Sequence, residues 1–364
     1  MHRLVIVLFT MAMFSGGAYA TELKELYAAY QQALESGGRS EILDSAKKVY
    51  VYTRDNHPET SKSRAASALN YGEALLLDWQ YSAAHDVLVD AVGFFEDIYG
   101  EEALELVDPL ILYAQAYAGA YKYRDSRGSR GYRKIVKRAQ KLVKTHRGKE
   151  SYLYGKVTLE AARIGVDIAE DFRATRIAKE AYRIFTEVHS DQVFDRYLAT
   201  FYMGKHLMAI DSNKKAEPYI LEALDIATSD QEKSNRFELT ARAFLVELYE
   251  KIGDQARSTE QCQLIGKKSP FDMDGEPKPI FKPVLKYPES MLRVGKSARV
   301  VANFTVDANG FATDIKFRDE PETSPFAQEA RTYLEKSRYA PRFEDGVAVD
   351  TPDRKMTFGF SIAE

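Results

Sequence analysis

The chain has one cysteine, Cys262, in 364 residues, so no disulfide can form within it. Its six histidines, His2, His57, His85, His146, His189 and His206, show no paired ligand spacing, and no metal site is expected. A nucleophile motif is also missing, so no catalytic residue, cofactor or small-molecule substrate is assigned and the chain is read as a non-enzyme. Gly295-Lys296-Ser297 imitates the end of a phosphate-binding loop, but Ser290 stands where that loop needs its first glycine. Asp307, Asn309 and Gly310 begin like a calcium loop that no glutamate closes, and a hairpin turn is expected there instead. An excess of one charge is lacking too: 51 basic and 54 acidic residues leave a net charge of −3, which excludes nucleic-acid binding by bulk charge.

Long hydrophobic runs are absent after the first 20 residues. MHRLVIVLFTMAMFSGGAYA has a basic start, an apolar run from Leu4 to Phe14, and Ala18-Tyr19-Ala20 at its end, the pattern of a secretory signal cleaved before Thr21. The competing reading is a retained inner-membrane anchor. At roughly 1.5 Å per residue the apolar run spans only about 16 Å of a hydrocarbon core of about 30 Å, which favours cleavage. Export without a disulfide points to the bacterial periplasm.

Proline is scarce through residue 268, and the apolar pattern there is helical. Gly72, Leu75, Ala84, Leu88 and Ala91 share their spacing with Gly204, Leu207, Ala216, Ile220 and Ala223. Val246, Tyr249, Ser258, Cys262 and Ile265 form a third, weaker copy. Small residues let paired helices approach while larger ones fill the groove between successive hairpins. The pattern resembles the tetratricopeptide repeat. Further hairpins are expected on periodicity: Leu23 to Leu34 with Glu41 to Thr53, Leu106 to Tyr121 with Tyr132 to Val143, and Tyr152 to Ala169 with Ala174 to Val188. Residues 21–268 are therefore expected to form an all-α solenoid, and the resemblance implies a surface for a protein partner.

Residues 269–286, with Pro270, Pro277, Pro279 and Pro283, read as a linker and lead-in. From 287 to 364 the period changes. After a short helix, Glu289 to Val294, the residues Ala298, Val300, Ala302, Phe304 and Val306 alternate with polar ones. Beyond the Asp307-Ala308-Asn309-Gly310 turn, Phe311, Thr313, Ile315 and Phe317 are expected on one face. Ser324-Pro325 caps a helix carrying Phe326, Ala330, Tyr333 and Leu334. SRYAPRFEDGVAVD, Ser337 to Asp350, then reads as a connector whose charges are solvated, leading to a last strand with Met356, Phe358, Phe360 and Ile362 in phase.

Tyr287-Pro288, Gly295, ANFTVDANGFATDIKF, Phe326 and Ala330, Arg338-Tyr339-Ala340-Pro341, Gly346 and FGFSI occur in an order that resembles the C-terminal domain of the TonB energy transducers, over about 278–362. The resemblance implies a small α+β domain, an antiparallel sheet with two helices, that binds a short receptor segment, the TonB box, as an added strand. It implies a site on the last strand, Arg354, Lys355, Thr357 and Gly359, beside Tyr287 and Pro288. Tyr287 would supply contact area and the cations would meet acidic peptide residues. Equally, Tyr287 could fill the core and the cations could blunt a sheet edge. The implied partner is an outer-membrane TonB-dependent receptor or another envelope protein, with an inner-membrane motor complex or peptidoglycan as further candidates. A transducer of this family keeps a membrane helix bearing a motor-contacting histidine. The apolar run here has no histidine, so the expected role is a periplasmic adaptor, with a membrane-anchored transducer and a cell-wall-binding scaffold as alternatives.

Lys122 to Lys149 holds twelve basic residues against Asp125 alone, and Arg133, Lys137, Lys141 and Lys144 form one helical stripe. It is either a face for an anionic envelope partner or a solvated face balanced by the acidic stretch from Asp86 to Asp108.

Overall fold

The computed structural model describes residues 17–121, 127–166, 172–229, 235–268 and 278–362. Most of the expected signal, residues 1–16, lies outside them, as does 269–277 of the expected linker. Among the described residues no helix is long and apolar enough to cross a membrane. The chain divides into two compact units, Met1–Ile210 and Asp211–Glu364.

The first unit is helical. It comprises α1 (Gly17–Ser36), α2 (Arg39–Asn56), α3 (Lys62–Leu77), α4 (Tyr81–Tyr99), α5 (Val107–Tyr121), α6 (Arg127–Arg147), α7 (Tyr152–Gly165), α8 (Phe172–Arg183) and α9 (Val193–Ala209). Each helix packs on the next, and α3, α5, α7 and α9 also touch in turn, the contact pattern of stacked hairpins. Small residues make that approach possible. A Cβ on Gly72 would come within 2.4 Å of Leu88 Cδ2, and one on Gly155 within 2.8 Å of Ile184. Several polar side chains that enter the stack are paired, as most buried groups are, although the Thr200 hydroxyl is buried without a hydrogen-bond partner. Asp195 of α9, almost fully buried, accepts from Tyr152 Oη and Lys156 Nζ of α7, each at 2.6 Å, and burial with that bond pushes the Tyr152 hydroxyl up to about 12. His206 Nε2 lies 2.8 Å from the Ala162 carbonyl. The helix expected to end at Ala169 stops at Gly165, and 167–171 lie outside the described residues. Beyond α8 the coil widens to a π turn over Ile184–Val188, closed by His189 N on Ile184 O at 2.9 Å.

The second unit joins three helices, α10 (Asn213–Ser229), α11 (Asn235–Ile252) and α12 (Gln255–Lys268), to the mixed module. All five residues of the third repeat copy are buried on α11 and α12. The second copy is split between units, Gly204 and Leu207 on α9 and Ala216, Ile220 and Ala223 on α10. Each copy turns through a positive φ seven residues after its first position: Trp79 at 60°, Asp211 at 57° and Gly253 at 78°. Glycine meets this demand without strain and aspartate tolerates it, but tryptophan is an outlier there.

The module runs α13 (Glu289–Arg293), β1 (Ala298–Val306), β2 (Ala312–Phe317), α14 (Pro325–Lys336), β3 (Arg342–Glu344), β4 (Val347–Val349) and β5 (Thr351–Phe360). Its main sheet is antiparallel in the order β2-β1-β5. Val300, Ala302, Phe304 and Val306 of β1 meet Ile315, Met356, Phe358 and Phe360 on the inner face, which Phe326, Ala330 and Leu334 of α14 cover.

Three expectations need correction. Strand β2 does not alternate from Phe311: its pairing slips by one residue at Asp314, which has φ 52°, so Ala312 and Ile315 both turn inward and Thr313 does not. The connector Ser337 to Asp350 contains a second small sheet, because Asp345-Gly346, with φ 49° and 81°, forms the two-residue turn that closes β3 on β4. Its charges are not all solvated: Arg338 is completely buried.

Candidate functional site: two sides of the module

One side of the module is welded to α11 and α12 through Arg338, whose place just after α14 points its side chain back toward α11. Arg338 Nη1 binds Glu250 Oε1 at 2.5 Å, and Nη2 donates to Thr259 Oγ1 at 2.8 Å and to the Asn309 carbonyl at 2.9 Å. The guanidinium carbon lies 3.7 Å from the centre of the Phe311 ring. Its own backbone pairs with Phe281 of the lead-in. Around this group the packing is close. The Asp307 to Gly310 turn is shaped by Asp307 Oδ1, which accepts from Asn309 N at 2.9 Å and Phe311 N at 2.8 Å. Gly310, at φ 82°, leaves 2.2 Å between a would-be Cβ and the Tyr339 carbonyl. Gly266 of α12 likewise admits Pro341. Burial pushes the Cys262 thiol up to about 12 against the opposing pull of Arg338, so it is an inert packing group. On α11, Glu238 is buried, which alone would raise its carboxyl, but hydrogen bonds from Lys268 and Arg242 hold it below the usual range.

The outer edge of β5 is open. Strand β5 pairs with β1, and among the described residues no strand pairs with its outer edge. Its ten residues contain one bulge, at the Pro352-Asp353 end, where Phe304 faces Arg354 but Val306 faces Thr351. From Lys355 to Phe360 the strand is regular. The other edge, β2, has six residues, carries the Asp314 bulge, and has its Ile315 carbonyl taken by Arg331 at 3.1 Å. Short, bulged and capped edges resist strand addition, whereas β5 has a long template.

The residues expected at a peptide site are distributed as follows. Lys355 and Gly359 are exposed on β5, and Thr357 is half-buried in the same phase. Tyr287 is half-buried against the core, edge-on to Phe326 and Phe360 at 5.9 Å each, and its hydroxyl donates to the Lys296 carbonyl. Pro288 is buried ahead of α13. Arg354 departs from the expectation: at 4% exposure it points into the module. It shares the phase of Met356, Phe358 and Phe360, and that parity was the available signal. Lys355 instead has company on the outer face, since Asn303 of β1 pairs with Lys355 on one side and Lys316 on the other, with exposed Arg299 opposite Gly359. The outer-face Arg299 and Lys316 are not singled out from sequence, and Arg338 is expected there only as a solvated connector charge.

The basic stripe lies on α6. Lys137, Lys141 and Lys144 are exposed and Arg133 is half-buried. Lys141 reaches Glu102 at 3.2 Å, Arg138 beside it pairs with Glu96, and His146 Nε2 lies 2.7 Å from the Glu102 carbonyl. Part of the stripe is thus balanced by the acidic stretch before it. Among the described residues no cluster of histidine, cysteine or carboxylate side chains could hold a metal.

Residues 283–362 match the family described as Gram-negative bacterial TonB protein C-terminal. No curated protein sequence matches the chain. Among solved structures it is similar to the nearly identical TPR-like repeats of a candidate kinesin light chain from Podosopora anserina, at 13% identity and a TM-score of 0.50 over 60% of this chain and 100% of that one. It is also similar to BtubC from P. vanneervenii, at 12% identity and a TM-score of 0.48 over 70% and 91% of the two chains. These likenesses concern the fold: a TPR-like helical solenoid followed by a small α+β module of the TonB C-terminal type. The TonB C-terminal family acts in protein interaction at the cell envelope and is not catalytic in general.

Proposed function

We propose that the protein is a periplasmic adaptor whose module captures an extended peptide, from an outer-membrane TonB-dependent receptor, along the outer edge of β5, while the helical repeats dock a second envelope protein. The observation that carries this reading is the long unpaired edge of β5 in a module that matches the TonB C-terminal family. Backbone pairing alone is too weak. About five hydrogen bonds at roughly 1 kcal/mol net each fall short of the roughly 8 kcal/mol of micromolar binding. Lys355, Arg299 and Lys316 make the outer face cationic and suit a peptide with acidic side chains. Tyr287, committed to the core and to the Lys296 carbonyl, supports that edge from beneath.

The test is a titration of the full chain with receptor-box peptides N-methylated one amide at a time. Strand addition predicts an alternating pattern, with binding lost only where the methylated amide faces β5. Uniform tolerance of N-methylation would show that no strand is added.

A further inference from the structure

The turn that joins α3 to α4 holds the sole tryptophan of the chain in a backbone conformation that glycine occupies in the third repeat copy. Trp79 is 64% exposed. Its turn is nevertheless well fixed, with Trp79 N on the Leu76 carbonyl at 3.2 Å and Gln80 N on the Leu75 carbonyl at 2.9 Å. The Arg39 guanidinium lies 4.2 Å from the centre of the indole, and Gln80 Nε2 donates to Asp78 Oδ2 at 2.7 Å beside it. A bulky side chain held at positive φ costs stability that glycine would spare, and such strain collects at functional sites.

We propose that Trp79, Arg39, Asp78 and Gln80 form a glycan-binding platform, and that its ligand is a strand of β-linked N-acetylated amino sugars. This goes beyond the peptide-docking reading and does not depend on it. A pyranose ring presents an axial C–H face that stacks on an indole. Its equatorial hydroxyl and acetamido groups lie at the rim, where planar carboxylate, amide and guanidinium groups can pair with them. Trp79 supplies the face, and Arg39, stacked on it, restrains the ring so that little freedom is lost on binding. The surroundings disfavour other occupants. A protein hot spot is ringed by further apolar contacts, but Gln80 and Ser82 beside Trp79 are polar and exposed. An anionic lipid surface would meet the carboxylate of Asp78 next to the ring.

Because Trp79 is the sole tryptophan, its fluorescence reads the site directly. Titration of the full chain with tetra-N-acetylchitotetraose should give a saturable change in indole emission, and the chain should sediment with purified cell-wall sacculi. Trp79→Gly should lower that sedimentation at least tenfold while holding or raising the Tm, since it relieves the backbone. Trp79→Phe should retain part of it, and Asp78→Ala with Gln80→Ala should weaken it several-fold with the indole still in place. Unchanged emission at millimolar oligosaccharide would overturn the proposal, as would wild-type sedimentation of Trp79→Gly. A response to envelope peptides or anionic vesicles with none to glycan would also overturn it.

Discussion

The module has two sides built on opposite terms. Toward α11 and α12 it is closed by a buried ion pair, two glycine contacts and a guanidinium stacked on Phe311. Along β5 it exposes a strand edge under a row of cations. The contrast separates stability from recognition. A substitution on the closed side should cost folding free energy, and one on the open side should cost binding and leave folding alone.

The largest effect should follow loss of Arg338. Truncation leaves Glu250 without its partner, and Arg338→Ala should destabilise the second unit by about 3–5 kcal/mol in denaturant titration. Arg338→Met should cost less than Arg338→Ala, since it keeps apolar volume in the site. An equal loss from Lys355→Ala would erase the distinction between the sides. Next comes Gly310→Ala, at roughly 1–3 kcal/mol, because the residue sits at positive φ with the Tyr339 carbonyl where a Cβ would go. On the open side, Lys355→Glu should weaken an acidic peptide about five- to tenfold in anisotropy titrations, with stability held within about 0.5 kcal/mol.

The smallest effect is an acid limb. The Glu238 carboxyl is held below its unfolded value, so its stabilisation is fully present above about pH 4.3 and is lost as pH falls through the lower folded value. Glu238→Gln should flatten that limb in pH-resolved thermal melts and leave the neutral arm of the curve parallel to wild type. An acid limb that persists unchanged would assign it to other carboxylates.

How far these features were legible depended on whether local rules agreed with the fold. The repeat copies could be read because small and large residues recur at fixed offsets, and each of those positions that was named is buried. The inner face of β1 was legible from alternation, and the Ser324-Pro325 helix start from its cap and first-turn proline. Bulges hide from such reading. One extra residue at Asp314 reverses the phase of half of β2, and nothing in the local composition announces it. Charge hides Arg354 and Arg338: the first is expected to meet acidic peptide residues or blunt a sheet edge and the second to be solvated, yet both are buried. Parity with Met356 could have placed the first inside, but the partners of the second, Glu250 and Thr259, lie about 80 or more residues away in sequence. The β3–β4 hairpin had its signal in Asp345-Gly346, a two-residue turn between short β-prone runs.

The most direct test of the open edge is amide hydrogen exchange of the full chain with and without a saturating receptor-box peptide. The account predicts new protection at alternate amides between Thr351 and Phe360, where β5 gains a second neighbour, with the amides of β2 unchanged. Protection confined to β2, to α6 or to the helical repeats, with β5 exchanging as before, would contradict it.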